Sequence, residues 1–405
     1  MKHIIIVLHS LAVGGAERRL SSVANYIAAQ GHRVTMLLID NPVVKFEIDP
    51  RIRVVCVNQS PDLTDYDPEK CELFRLPMPT NTSFFDNARL RLQRVTNNKL
   101  AKVTETELYL KTRNAVPLRE YLRQFPDAVV ISFMTTPNLS TMMAVKDLPN
   151  RALFGDCTDA SAEFPADSPY HALRKKYYRR ANGAILQTEV QRDNYDFLPG
   201  VTKTVIPNFI RGKNLPGRFD GMRKKEIVTF CRLSPVKNIP LLFDAFSLLR
   251  KDYPDYTLAI YGEGRIRDRL LAKIDELSMQ GSARIYDFDL NVHEKIKDAA
   301  MFVSSSDREA ISNSMLEAMA IGLPCVCTDC AGGGARMMIE DHVNGLLVPM
   351  KDVNALYLAM KEVIENPELA ETMSRNAVKI KDRLRPEVIC QQMLDAILGE
   401  EQSSL

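Results

Sequence analysis

The chain has 405 residues, of which 45% are hydrophobic and 26% charged, proportions that exclude a disordered, collagen-like or low-complexity protein. That length calls for two domains, each able to bury its own core. Lys plus Arg number 53 against 51 Asp plus Glu, so no global field argues for nucleic acid as a partner, and any basic site must be local.

The first element is the continuous apolar run Ile4 to Leu8. It is too brief for a signal-peptide core, and no stretch approaches the roughly 18 apolar residues of a membrane span. The expectation is a cytoplasmic protein, attached at most peripherally to the inner face of the plasma membrane. After a Gly-rich turn, Leu20, Val23, Ala24 and Ile27 recur at helical spacing in a helix that Gly31 closes. Further strand-like runs follow at Val34 to Ile39, Val54 to Val57, Ala128 to Ile131, Ala152 to Gly155, Ala184 to Gln187 and Thr204 to Ile206. Helical segments separate several of them, and such alternation calls for a parallel sheet covered on both faces.

The pattern then restarts. Ile227 to Cys231, Thr257 to Tyr261, Ala283 to Tyr286, Met301 to Ser304, Cys325 to Thr328 and Gly345 to Val348 read as strands of a second sheet. The expected division is a first α/β domain over 1–207 and a second over 208–385, the polar stretch from Arg211 to Lys225 serving as linker. The segment from Gln59 to Arg113 is irregular, with four prolines and then Arg89, Arg91, Arg94, Lys99 and Lys102; it reads as an insertion, either a solvated helix or a surface for anionic lipid or a phosphate-bearing acceptor. Arg174-Lys175-Lys176-Tyr177-Tyr178-Arg179-Arg180 is a dense basic helix open to the same two readings. The eight cysteines lie mostly inside apolar runs, and Cys325, Cys327 and Cys330 lack a second ligand pair, so buried free thiols are expected instead of a zinc site.

Chemistry begins at Val13-Gly14-Gly15-Ala16-Glu17, where paired glycines between a strand and a helix permit close backbone approach and the helix N-terminus offers free N–H groups to an anion. The spacing is not that of a dinucleotide fingerprint, which counts against an oxidoreductase. In the second half, Arg232-Leu233-Ser234-Pro235-Val236-Lys237-Asn238 puts two cations at the C-terminal end of a strand, where open α/β sheets bind ligands and where Arg232 and Lys237 would neutralise a diphosphate leaving group. Ser312-Asn313-Ser314 is an N-cap cluster opening a helix, with Glu309 in the loop before it and Glu317 on the helix behind it. One carboxylate can meet sugar hydroxyls and the other a ribose diol. Asp287-Phe288-Asp289 imitates a metal-binding D-x-D but stands just past a strand of the second half.

In this series the chain resembles the retaining glycosyltransferases of family four, whose GT-B architecture sets two Rossmann-like domains facing each other across a cleft. The motifs that carry the resemblance are Gly14-Gly15-Ala16-Glu17, Ile206-Pro207-Asn208, Arg232 to Asn238, Ile260-Tyr261-Gly262-Glu263-Gly264, and Glu309-x7-Glu317 running on to Pro324. The resemblance implies an acceptor-binding first domain, with the helix at 386–405 packing back on it, and a second domain that binds the nucleotide sugar. By resemblance Arg232 and Lys237 hold the donor diphosphate, Glu309 the transferred sugar and Glu317 the ribose, while the loop of Gly14 and Gly15 closes over the diphosphate. Gly262, Glu263, Ser312, Asn313 and Ser314 complete the donor site. Asp156 falls where many members carry a His near the anomeric carbon; there it would stabilise oxocarbenium character or, alternatively, cap a helix. Arg336 stands where the family often has an acid.

The implied reaction is retaining transfer of a hexose or N-acetylhexosamine from a UDP-sugar to a lipid-linked, polysaccharide or wall-polymer acceptor. No metal or other cofactor is expected, since cations and helix ends stabilise the leaving diphosphate. An epimerase of the same fold, a phosphorylase-like enzyme and a non-enzymatic nucleotide-sugar binding module are the rival readings.

Overall fold

The computed structural model of the protein describes residues 1–12, 14–76, 99–157, 167–210 and 215–400. Arg89, Arg91 and Arg94 of the basic insertion lie outside the described residues, as does part of the expected linker. The chain divides into two compact units, Met1–Ile206 with Ile389–Leu405, and Pro207–Val388.

In the first unit the strands are β1 His3–Leu8, β2 Arg33–Leu38, β3 Arg53–Cys56, β4 Glu72–Leu73, β5 Val129–Phe133, β6 Ala152–Gly155, β7 Gly183–Leu186 and β8 Thr202–Val205. They form one eight-stranded sheet in the order β4-β3-β2-β1-β5-β6-β7-β8, with every pairing parallel. β1 sits in the middle, Ile4 facing Val34 on one side and Val129 on the other. Its residues Ile4 to Val7 have no exposure at all, because helices cover both faces of a parallel sheet and a continuous apolar run satisfies both. The helix Gly15–Ala29 buries Leu20, Val23, Ala24 and Ile27. It ends where Gly31 takes φ 83°, which lets the His32 N–H reach back to the Ile27 carbonyl at 3.3 Å.

The insertion carries a helix, Lys99–Leu110, that continues through a wide turn at Lys111–Ala115 into the helix Val116–Leu122. The basic stretch after Ser168 is no uniformly solvated face. Arg174 is buried at 3% exposure among Tyr178 and Tyr195, Lys176 donates to Glu107 at 2.8 Å, and Lys175 and Arg179 stay exposed.

Arg19, at 2% exposure, is the largest fully buried side chain of the described residues. Its Nη2 donates to the carbonyl of Ile206 at 3.4 Å and lies 3.5 Å from the sulfur of Met393. It thereby ties the glycine-loop helix to the residue where the chain leaves the unit and to the helix Pro386–Leu398 on which it returns. Tyr26, on the same helix as Arg19, donates to Gln391 at 2.8 Å, and Arg151, just before β6, donates to the Ile397 carbonyl at 3.3 Å, so two further bonds hold that helix.

The second unit has β9 Lys224–Phe230, β10 Thr257–Tyr261, β11 Ala283–Tyr286, β12 Ala299–Ser304, β13 Cys325–Thr328 and β14 Leu346–Val348, in the order β11-β10-β9-β12-β13-β14. All pairings are again parallel. Strand order therefore reverses between β9 and β12, and the loops leaving their C-terminal ends open side by side. All eight cysteines are free thiols. Burial holds Cys325 and Cys327 in the protonated form by pushing both well up.

His3 lies at the start of β1, its Nε2 2.9 Å from the Thr35 hydroxyl and its ring edge-on to Phe125. Burial, reinforced by the charges of Arg33 and Arg53, lowers its pKa from 6.5 to about 4. The unfolded chain therefore takes up this proton first, so the contribution of His3 is intact above pH 6.5 and is lost as the pH falls toward 4. Urea titrations of His3→Gln should show a flatter loss of stability across that window than the unaltered protein. A second test concerns Gly262, whose φ is 151° and where an added Cβ would stand 1.9 Å from the Cys231 carbonyl oxygen. Gly262→Ala should cost about 2–4 kcal/mol in thermal unfolding, while Gly281→Ala, with nothing within 4 Å, should be close to neutral.

Candidate active site at the strand-order reversal of the second unit

β9 ends at Phe230, and the chain runs through Cys231 and Arg232 into a single tight turn, Pro235–Lys237. Asn238 then adopts the left-handed conformation, φ 43° and ψ 44°, which Asn tolerates better than most residues, and the helix Ile239–Asp252 starts with Pro240 in its first turn. The loop leaving β12 lies against this segment. Lys237 Nζ pairs with Glu309 Oε1, Asn238 Nδ2 donates to Asp307 Oδ1 at 2.9 Å, the Asp307 N–H donates to the Val236 carbonyl at 2.9 Å, and the Ser305 hydroxyl donates to the Lys237 carbonyl at 3.1 Å. Four contacts thus close the two loops on each other. The ion pair is largely shielded, with side-chain exposures of 16% and 21%. Arg232 is exposed and has no ion pair among the described residues, so it is a cation open to a ligand.

Glu309 is held from behind by its own backbone. Gly332 passes so near that a Cβ there would stand 1.8 Å from the Glu309 carbonyl oxygen, and the Cys330 thiol donates to that same oxygen at 3.7 Å. This packing accounts for the run of glycines after Cys330. Arg336, just beyond it, pairs with Asp329 at 2.6 Å.

Ser312 caps the helix Asn313–Ala320, its hydroxyl accepting from the Met315 N–H at 3.4 Å. Asn313, Ser314 and Glu317 form the partly exposed stripe of this helix, while Met315, Leu316, Ala318, Met319 and Ala320 are buried. The polar residues of the motif thus share one face with the helix N-terminus. Asn208 donates to Asn313 Oδ1 at 3.2 Å, and Glu317 Oε2 lies 3.1 Å from His293 Nε2. On the other side of β9, the Leu233 N–H donates to the Glu263 carbonyl at 2.7 Å, which brings the Gly262–Gly264 loop, buried at Gly262 and exposed at Glu263 and Gly264, beside the cationic turn. Tyr261 and Tyr286 stack at 4.8 Å near this edge, and burial raises the Tyr261 hydroxyl to about 12.

Arg232, Lys237, Gly262, Glu263, Glu309, Ser312, Asn313, Ser314 and Glu317 therefore all belong to the loops and helix start at one edge of the second sheet. Gly14, Gly15 and Asp156 belong to the first unit. Gly14 is exposed at φ 139° just before the helix Gly15–Ala29, at the C-terminal end of β1. Asp156 follows β6 at 2% exposure, accepts from the Tyr195 hydroxyl and shares its surroundings with Arg174. Burial pushes the Tyr195 hydroxyl far up, and the Asp156 charge adds to that shift. Asp156 caps no helix among the described residues. Sequence reasoning did not single out His293 or Ser305; both sit outside any quoted motif, and only the folded register of β11, β12 and β9 brings them to the site.

Asp287 and Asp289, the D-x-D look-alike, are each matched to a cation, Asp287 to Arg267 at 3.0 Å and Asp289 to Lys295.

The profile of the family described as glycosyl transferases group 1 matches residues 218–380, all within the second unit. Among curated proteins, the chain is 27% identical over 285 residues to the N-acetylgalactosamine-N,N'-diacetylbacillosaminyl-diphospho-undecaprenol 4-alpha-N-acetylgalactosaminyltransferase of Campylobacter jejuni, covering 66% of this chain and 75% of that protein. It is 28% identical over 218 residues to the poly(ribitol-phosphate) alpha-N-acetylglucosaminyltransferase of Staphylococcus aureus, covering 53% of this chain and 44% of that protein. Among solved structures, a TarM mutant of S. aureus in complex with Fondaparinux, alpha-GlcNAc-glycerol and UDP superposes with a TM-score of 0.70 at 16% identity, over 98% of this chain and all of the other. HepE of Anabaena in complex with UDP gives the same TM-score, identity and coverage of this chain. The protein has the GT-B fold of two parallel-sheet α/β units, its second unit matches the glycosyl transferases group 1 profile, and these findings together support a glycosyltransferase.

Proposed function

We propose that the protein is a retaining glycosyltransferase that moves a hexose or N-acetylhexosamine from a UDP-sugar to a lipid-linked, polysaccharide or wall-polymer acceptor, without a metal ion. The observation that carries this reading is the closure of the β9 and β12 loops through Lys237 and Glu309, beside Arg232 and the capped helix start at Ser312. Breaking a sugar–diphosphate bond develops negative charge on the leaving oxygen, and preformed cations and N–H groups aimed there lower the barrier most. Arg232 and Lys237 take that role. The donor diphosphate replaces Glu309 as the partner of Lys237, and Glu309 turns to the hydroxyls of the transferred sugar. Glu317 accepts from the ribose diol, and the Gly262–Glu263 loop and the Ser312–Ser314 cap complete the donor site.

Solved relatives of this fold that bind UDP support the choice of nucleotide. The names of the similar enzymes specify α products, and UDP-linked glucose and N-acetylhexosamines are themselves α-linked, which supports retention. In a retaining reaction on one face of the sugar, the leaving phosphate oxygen takes the acceptor proton, so no separate base is required. Metal independence is supported by the cations already present, and the matched charges of Asp287 and Asp289 leave that pair no call for an ion. The acceptor falls to the first unit, where Gly14 and Gly15 are exposed and Asp156, anchored by Tyr195, shapes the end of β6. Lys175 and Arg179 supply an exposed basic surface for peripheral contact with anionic lipid on the cytoplasmic side.

The test is turnover of UDP-glucose, UDP-N-acetylglucosamine and UDP-N-acetylgalactosamine in excess chelator, with an undecaprenyl-diphosphate-linked sugar or poly(ribitol phosphate) as acceptor. One donor should be consumed, with an α linkage in the product by NMR, and Glu309→Ala should lower kcat by about 100-fold or more. A β product overturns retention, abolition by chelator overturns metal independence, and conversion of a donor without acceptor points to an epimerase.

A further inference from the structure

His293 has no part in any motif of the sequence, yet it meets the carboxylate that the proposed reading gives to the ribose. It sits on the one-turn helix Val292–Ile296, anchored by the buried Val292 and Ile296, and only 18% of its side chain is exposed. Its Nε2 is 3.1 Å from Glu317 Oε2, and Glu317 is shielded to a similar degree, at 19%. The ring is fixed from the other side. Its edge meets Phe230 at 5.4 Å and 88°, and Phe230 in turn packs on Phe302 at 5.3 Å. Phe230 ends β9, two residues before Arg232, so the imidazole is locked to the strand that presents the phosphate-side cations.

An ionised carboxylate only accepts hydrogen bonds, which makes His293 Nε2 the donor. This bond occupies Oε2 and fixes the Glu317 rotamer before any nucleotide arrives, with Oε1 remaining to accept from a sugar hydroxyl. A glutamate left to rotate would have to be ordered upon binding, at a cost in affinity. We infer that His293 is a positioning residue that holds Glu317 ready for the ribose hydroxyls of the donor nucleotide, and so contributes to discrimination between ribose and deoxyribose. The inference rests on the reading of Glu317 given above.

Two substitutions separate the hydrogen bond from the packing. His293→Phe keeps an aromatic ring against Phe230 and removes the donor; His293→Gln places an amide N–H near the position of Nε2 and keeps it. The measurement is calorimetric affinity for UDP and for 2′,3′-dideoxy-UDP, with Glu317→Ala alongside and circular dichroism to verify folding. His293→Phe should bind UDP about 3- to 10-fold more weakly while its affinity for the dideoxy nucleotide barely changes, and His293→Gln should recover most of the UDP affinity. In turnover, the loss should fall on KM for the UDP-sugar and spare kcat. If His293→Phe and His293→Gln are equally impaired, or if both nucleotides lose the same factor, the ring serves packing and the inference is overturned. If Glu317→Ala leaves UDP affinity unchanged, or if the unaltered protein binds no UDP, the ribose reading itself fails and the inference with it.

Discussion

The ion pair between Lys237 and Glu309 joins two loops that leave neighbouring strands where the order of the second sheet reverses, and the other parts of the site are arranged around it. At such a point the chain on either side departs in opposite directions, so the sheet edge leaves a crevice instead of a covering connection. The crevice has to be lined by polar groups that are satisfied without a ligand and can be re-paired with one. A shielded lysine next to a shielded glutamate meets that requirement, since neither charge is left uncompensated in the empty protein. The left-handed turn at Asn238, the backbone bond from Asp307 and the close passage of Gly332 behind Glu309 keep both partners where they meet.

The first unit repeats the plan with different chemistry. Its sheet also reverses, between β1 and β5, and there the loop after β1 carries glycines instead of cations. Charge is withdrawn inward in this unit. Arg19 and Arg174 are both buried, Arg19 against backbone and sulfur, Arg174 among tyrosine rings beside Asp156. An arginine suits such places because its planar group spreads one charge over several donors and stacks on aromatic faces. Arg19 has a second consequence for architecture, because it gathers the exit residue Ile206 and the returning helix at Met393 onto the glycine-loop helix.

Most of the sheet was legible in the sequence, since a strand buried on both faces reads as a continuous apolar run, as Ile4 to Leu8 and Ala128 to Ile131 do. β4 escaped notice because Glu72–Leu73 is two residues long and has no pattern. The motif residues of the second unit were legible as a set, since residue types at loop and cap positions speak for themselves: Ser312 before a helix, cations after a strand. What could not be read were contacts that depend on register between distant segments. His293 reaches Glu317 only because β11 and β12 lie on opposite sides of β9 and β10, and Arg174 looked like part of a solvated basic helix until Asp156 and two tyrosines were seen to enclose it.

A crystal structure of the protein with UDP bound is the most direct measurement of whether the β9 and β12 loops form a nucleotide diphosphate site. The account predicts the diphosphate against Lys237 and Arg232, Glu309 released from Lys237, and the ribose hydroxyls on Glu317. A nucleotide bound elsewhere, with the Lys237 to Glu309 pair left intact, would contradict it.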